Sequence, residues 1–158
     1  MFEIIRFIFY TGRRTRLGKP AGTSRIGLAY STDGLHFKRL PKPVLHPDED
    51  DFKKFEWEGG CEDPRIVEDN NGTYYMTYTA YERHYCRSFS LQLQKILLHW
   101  KKHGSVFKNA SDGAFINYWS KSGSIVCKRN ESRLVATKIN GKYWMYWGEI
   151  KYLCGYIR

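Results

Sequence analysis

One strand-and-turn segment occurs twice in this chain. Asn71-Gly72-Thr73-Tyr74-Tyr75-Met76-Thr77-Tyr78 is echoed 69 residues on by Asn140-Gly141-Lys142-Tyr143-Trp144-Met145-Tyr146-Trp147. Each copy opens on Asn-Gly, a pair suited to a tight hairpin because both residues tolerate positive φ. Each continues in aromatic residues with strand-like alternation. Leu35-His36-Phe37-Lys38 and Leu98-His99-Trp100-Lys101 form a second match, 63 residues apart. Two matches at similar offsets point to a repeating β unit of roughly 60–70 residues, the size of a propeller blade with long connections. The alternative is two unrelated hairpins that share common turn chemistry.

Other runs fit an all-β chain. Ile26-Gly27-Leu28-Ala29-Tyr30-Ser31 leads into the turn Thr32-Asp33-Gly34, and Leu35 to Arg39 follows as a short strand. Ser124 to Cys127 and Arg133 to Thr137 bracket a polar turn at Lys128 to Ser132. His36 and His99 fall inside the repeat and read as packing residues. The run 82–95 has no turn residue where the first copy has Asp33-Gly34, so it reads as a disrupted segment. Residues 1–21 and 150–158 match the pattern poorly. The expectation is one incomplete β domain over 1–158, with about two to three blades.

The chemistry is concentrated in Trp57-Glu58-Gly59-Gly60-Cys61-Glu62-Asp63-Pro64-Arg65. Pro64 lacks an N–H and biases Asp63 toward extended backbone. Strand alternation then predicts Glu62 and Asp63 on opposite faces, with Asp63 and Arg65 on the same face. A carboxylate beside a guanidinium suits a sugar: one moves protons, the other binds hydroxyls or an anion. The plainer alternative is a turn with a structural Asp–Arg ion pair.

Composition narrows the partners. A net charge of +10 raises nucleic acid as a ligand, yet the basic residues are scattered and no nucleic-acid motif accompanies them. A solvated basic surface is the reading preferred. Cys61, Cys86, Cys127 and Cys154 form no CxxC pair and no zinc spacing, so they read as free thiols in a reducing compartment, with no metal. No stretch approaches the roughly 20 apolar residues that span a bilayer, and the apolar start carries Glu3 and Arg6. A cytoplasmic protein that does not engage a membrane is expected. Twelve Tyr, nine Phe and five Trp supply strand cores and also faces suited to carbohydrate.

The chain resembles glycoside hydrolase family 130, the inverting mannoside phosphorylases and mannosidases. The resemblance rests on Ser24-Arg25-Ile26-Gly27-Leu28-Ala29-Tyr30-Ser31-Thr32-Asp33-Gly34, Glu62-Asp63-Pro64-Arg65-Ile66 and Thr73 to Ala80. It also rests on Trp119-Ser120-Lys121-Ser122-Gly123-Ser124-Ile125 and Lys138 to Tyr143. It implies a partial five-bladed β-propeller, since family members are about twice this length. It implies a β-mannoside substrate in a pocket on the propeller axis. Asp63 takes the place of the general acid, acting through a sugar hydroxyl, while phosphate attacks the anomeric carbon to give α-mannose 1-phosphate. Arg25 becomes a ligand to sugar or phosphate. Arg65, Lys121 and Glu62 are further substrate-binding candidates.

Inverting cleavage needs an acid for the leaving oxygen and a nucleophile on the opposite face. Phosphate, as co-substrate, serves without a protein base if cations hold it. Hydrolysis instead needs a second carboxylate for water, and Glu149 is the candidate base. No other cofactor is expected. The pattern breaks suggest a truncated and partly frameshifted member. Three readings therefore stand: an active phosphorylase or hydrolase, an inactive remnant whose open sheet edges promote self-association, and a carbohydrate-binding module without turnover.

Overall fold

The computed structural model describes residues 6–14, 22–82, 84–94, 97–131, 133–148 and 152–157. Two sheets account for more than half of them. The larger follows the path β1 (Arg6–Arg14), β2 (Thr23–Ser31), β4 (Gly60–Glu68), β5 (Thr73–Tyr81), β6 (Cys86–Gln94) and β7 (Lys101–Ser105). The short β3 (Lys38–Arg39) pairs with β2, and the hairpin of β9 (Cys127–Asn130) and β10 (Arg133–Ala136) attaches to β4. The smaller sheet places β12 (Lys142–Gly148) beside β8 (Lys121–Ile125), β11 (Lys138–Ile139) and β13 (Tyr152–Ile157).

From β4 to β7 the chain is an antiparallel meander of four strands, the unit of a propeller blade. The internal repeat has a structural basis. β5 and β12 each run through the middle of their sheets, and the matched Met76 and Met145 are both 0% exposed. The matched Tyr78 and Trp147 are buried one pleat further on. The Leu35 and Leu98 segments both lead into a strand beside an earlier one, β3 on β2 and β7 on β6.

The two Asn-Gly turns are built differently. Asn140 (φ 52°) and Gly141 (φ 74°) both have the positive φ of a type I′ hairpin turn, linking the paired Ile139 and Lys142. At the first copy, only Gly72 is left-handed (φ 78°), and the Asp69 carboxylate ties the loop by accepting the Asn71 and Thr73 N–H groups at 2.8 and 2.9 Å.

The structure places the segments that broke the pattern, and corrects one reading, the packing role of His36 and His99. The run 82–95 supplies β6, paired with β5 without a break from Cys86–Tyr81 to Gln94–Thr73. Its sequence alternates polar and apolar residues through Phe89-Ser90-Leu91-Gln92-Leu93-Gln94, so the lack of an early turn residue lengthens the strand. The poorly matching ends also contribute strands, β1 and β13. His36 is a surface residue: its Nδ1 lies 2.6 Å from the Asp33 carboxylate, which also accepts the Leu35 and His36 N–H groups. His99 is exposed as well.

The main core gathers Ile26, Leu45, Cys61, Met76, Tyr78, Ala80 and Phe89. Phe89 receives Phe52, Phe55 and Tyr78 in edge-on contacts, so the loop around α1 (Lys53–Glu56) closes over the sheet. Glu56 comes down with it into full burial, where the Tyr78 hydroxyl donates to one oxygen and Lys102 of β7 to the other. A second core packs Val106, Phe107, Ala110, Met145 and Trp147 with Phe115.

Candidate active site

β4 carries the acidic motif, and the local backbone decides where its side chains go. Gly60 (φ 111°) begins the strand against β2, where it pairs with Ser24. An added Cβ there would sit 2.2 Å from the Ser24 carbonyl oxygen. This close approach brings the Ser24 hydroxyl to the Glu62 carboxylate, which accepts its hydrogen bond at 2.5 Å. Cys61 between them points into the core.

Asp63 departs from the extended backbone expected before proline. Its φ is 52°, in the left-handed region that Asp tolerates better than most residues. The cause is a β-bulge: between the pairs Glu62–Thr79 and Arg65–Thr77, β4 carries two residues opposite one on β5. Pro64, unable to donate to a ladder, falls at this irregularity. The bulge also breaks the alternation that would set Asp63 and Arg65 on one face. Arg65 is exposed and its Nη1 donates to the Pro64 carbonyl at 3.3 Å. Among the described residues no ion pair joins Arg65 to Asp63.

Hydroxyl groups hold the re-aimed Asp63. Thr79 and Ser122 each donate to its Oδ2, at 3.2 and 3.3 Å, and its own N–H donates to the Thr11 Oγ1 at 3.2 Å. These partners come from β5, β8 and β1. Thr77 and Thr79, on one face of β5, anchor β8: the Thr77 hydroxyl donates to the Gly123 carbonyl, and the Ser122 N–H donates to the Thr79 Oγ1 at 3.3 Å. The smaller sheet therefore docks directly beside the acid.

Lys121 begins β8 next to this contact, exposed, its Nζ 5.4 Å from the centre of the Trp119 ring. The Ser120 N–H donates to the Cys86 carbonyl at 2.9 Å, which fixes the start of β8 on β6. The buried Cys86 thiol reports the local field. Burial foremost, then the Glu62 carboxylate and, more weakly, Asp63, push it up to about 11, against the pull of Lys121. Glu62, Asp63 and Lys121 thus all lie within electrostatic reach of Cys86. Arg25 is half-buried on β2, adjacent to Ser24 and opposite Gly12 of β1. Glu149 lies outside the described residues.

The Cys86 shift has a direct consequence. At pH 8, alkylation of Cys86 by iodoacetamide, followed by mass spectrometry, is expected to run about a hundredfold slower in the folded protein than in the denatured chain. Equal rates would contradict the environment described.

The sequence reading of the site missed Ser24, Thr79, Ser122 and Thr11. The first three lie inside or beside the motifs already singled out, but a hydroxyl carries no distinctive signal until the strands are paired. Among the described residues no group of three or more His, Cys, Asp or Glu is placed to hold a metal ion, and no helix is long and apolar enough to cross a membrane. Cys61, Cys86 and Cys127 are free thiols.

A meander blade with a neighbouring sheet docked on it agrees with one family. Its model, described as β-1,4-mannooligosaccharide phosphorylase, matches residues 6–154. The chain belongs to glycoside hydrolase family 130. Over 146 residues this family 130 chain is 32% identical to the 1,2-β-oligomannan phosphorylase of Thermoanaerobacter sp. (strain X514), which covers 92% of the chain and 41% of that protein. A glycosyl hydrolase from Bacteroides ovatus superposes with a TM-score of 0.88 at 41% identity, over 99% of this chain and 44% of the other. A further match has a TM-score of 0.86 and 44% identity, over 95% and 42% of the two chains. It comes from work on family 130 glycoside hydrolases that target β-1,2 mannosidic linkages in Candida mannan. The chain spans less than half the length of each of these relatives. Its fold is all-β, a part of the family's five-bladed propeller.

Proposed function

We propose that this family 130 chain acts on β-mannosides with inversion, with Asp63 as the general acid. The observation that carries the reading is the Asp63 carboxylate itself: turned out of the ladder by a bulge, held on one oxygen by two hydroxyls, and joined to no cation among the described residues. A structural ion pair has no such need, whereas a proton donor must be held in one orientation.

In this reading the Asp63 proton passes to the departing glycosidic oxygen, directly or through a sugar hydroxyl, as the bond from that oxygen to the anomeric carbon breaks. The nucleophile forms the new bond from the opposite face. Phosphate in that role gives α-mannose 1-phosphate, and Arg25, Arg65 and Lys121 are the cations assigned to it or to the sugar. Glu62, fixed by Ser24, accepts hydrogen bonds from sugar hydroxyls. Water in the nucleophile role requires a base, and Glu149 is assigned to it. The phosphorylase from Thermoanaerobacter sp. and the hydrolases of the family support both versions.

The test compares the wild type with Asp63→Asn on β-1,2- and β-1,4-mannobiose, with and without inorganic phosphate. Asp63→Asn is expected to lower release of mannose or mannose 1-phosphate by about 10²–10⁴-fold, the weight of a general acid. Sugar binding followed by calorimetry should survive. Dependence of release on phosphate separates the two nucleophiles. Unchanged turnover in the variant would reject Asp63 as the acid. A wild type that binds mannobiose without cleaving it would reduce the protein to a sugar-binding module.

A further inference from the structure

The bulge that presents Asp63 has a counterpart in the second sheet. Between the pairs Ser124–Tyr146 and Lys121–Gly148, β8 carries two residues opposite one on β12. This repeats the count on β4 and β5 around Asp63 and Pro64. The lone opposing residues are Trp147 and Tyr78, the same two positions matched in the internal repeat. The first bulged residue is left-handed in both cases, Asp63 at 52° and Ser122 at 54°. A non-glycine residue in that region carries strain, and here two such residues meet: Ser122 Oγ donates to Asp63 Oδ2 at 3.3 Å.

Thr79 completes the arrangement. Its hydroxyl accepts the Ser122 N–H at 3.3 Å, so its own hydrogen is free to point at Asp63 Oδ2, 3.2 Å away. Two donors thus converge on one carboxylate oxygen, and no described residue hydrogen-bonds the other.

We infer that Ser122, with Thr79, is a positioning residue for the acid, and that the two hydroxyls commit Oδ2 so that Oδ1 carries the proton and hands it to the leaving group. The inference rests on the proposed role of Asp63. It adds that the acid is oriented by the next repeat of the fold: β8 spends the same bulge on a serine that β4 spends on the acid. A merely structural serine at that strained position would be better replaced by glycine.

Three substitutions separate these roles. Ser122→Gly relieves the backbone and removes the hydroxyl. Thr79→Val keeps the shape of the side chain and removes the hydroxyl, whereas Thr79→Ser keeps the donor. The expected result is that Ser122→Gly and Thr79→Val each lower kcat by up to about tenfold, the weight of one hydrogen bond to a neutral carboxyl group, with KM within about twofold. Thr79→Ser and the neighbouring Ser124→Ala should retain kcat, and Ser122→Gly should unfold at no lower temperature than the wild type.

Carboxyl ¹³C NMR of aspartate-labelled protein, with Asp63 assigned through Asp63→Asn, gives a readout independent of turnover. Its resonance should move in Ser122→Gly and Thr79→Val and stay in Ser124→Ala. Full kcat in Ser122→Gly beside a dead Asp63→Asn would overturn the positioning role and leave the acid in place. An active Asp63→Asn would remove the acid assignment itself. An unmoved Asp63 resonance in both hydroxyl variants would refute the two-hydroxyl cradle whatever the activity.

Discussion

Lys102→Met is expected to destabilise the protein by about 3–5 kcal/mol, the usual consequence of removing one partner of a buried ion pair. The Lys102 side chain is 9% exposed and that of Glu56 0%. The ammonium lies 2.6 Å from Glu56 Oε2 and 2.8 Å from Asp50 Oδ2, so it ties β7 to the loop that closes the core. Methionine fills much of the same volume and leaves the Glu56 charge uncompensated beneath Tyr78. Glu56→Gln combined with Lys102→Met should recover most of the loss, because the burial of an unpaired charge is then removed.

The pH dependence follows from two shifts. Burial raises the Glu56 carboxyl above its ordinary range, with the hydrogen bonds from Lys102 and Tyr78 opposing it. Desolvation works against the Lys102 ammonium, but its hydrogen bonds to Asp50 and Glu56 prevail and hold it above its ordinary range. A value raised by folding contributes stability that is full at low pH and lost as pH climbs through it. The wild type should therefore weaken in alkali, where Lys102 gives up its proton. Lys102→Met should regain stability on acidification, as Glu56 takes up a proton. Urea unfolding at acidic, neutral and alkaline pH measures both trends. A loss below about 1 kcal/mol at neutral pH, in the range of an exposed pair, would show that the ion pair is not buried in solution.

Gly60→Ala is the second large effect, expected to cost on the order of 3 kcal/mol by combining backbone strain with overpacking. The alanine would hold φ near 111° with its Cβ 2.2 Å from the Ser24 carbonyl oxygen and 2.4 Å from the Ser24 nitrogen. Both obstacles are backbone, so no side chain can rotate away. Relief requires β2 to separate from β4, which also parts Ser24 from Glu62. Gly141→Ala is the control, since Gly141 has a similar positive φ of 74° and, its chain neighbours aside, no atom of the described residues within 4 Å of the added Cβ. It should cost only about 1 kcal/mol. Thermal unfolding of the two variants side by side checks the contrast, and equal losses would mean that the β2–β4 approach is looser than described.

Much of this protein is readable along the chain. The echo of Asn71-Gly72 in Asn140-Gly141 locates β5 and β12, because turn chemistry and alternation are local properties of short segments. Glu-Asp-Pro-Arg points to the candidate site for the same reason, although the motif alone also fits a structural turn. The disrupted reading of 82–95 rests on a missing turn, while the alternation of Phe89 to Gln94, itself a local signal, marks the strand that forms there.

What the sequence determined alone was the all-β pattern, its repeat and the residue that acts as the acid candidate. Tertiary structure decided how that residue is presented. One extra residue on β4 turns Asp63 left-handed, and a matching bulge 59 positions along the chain sets Ser122 against it. Bulges are a property of the register between two strands, and the fit of Ser122, Thr79 and Asp63 depends on three strands at once. No single stretch of sequence contains that information, because hydrogen bonds between hydroxyl and carboxylate are set by distance in space and not by spacing along the chain.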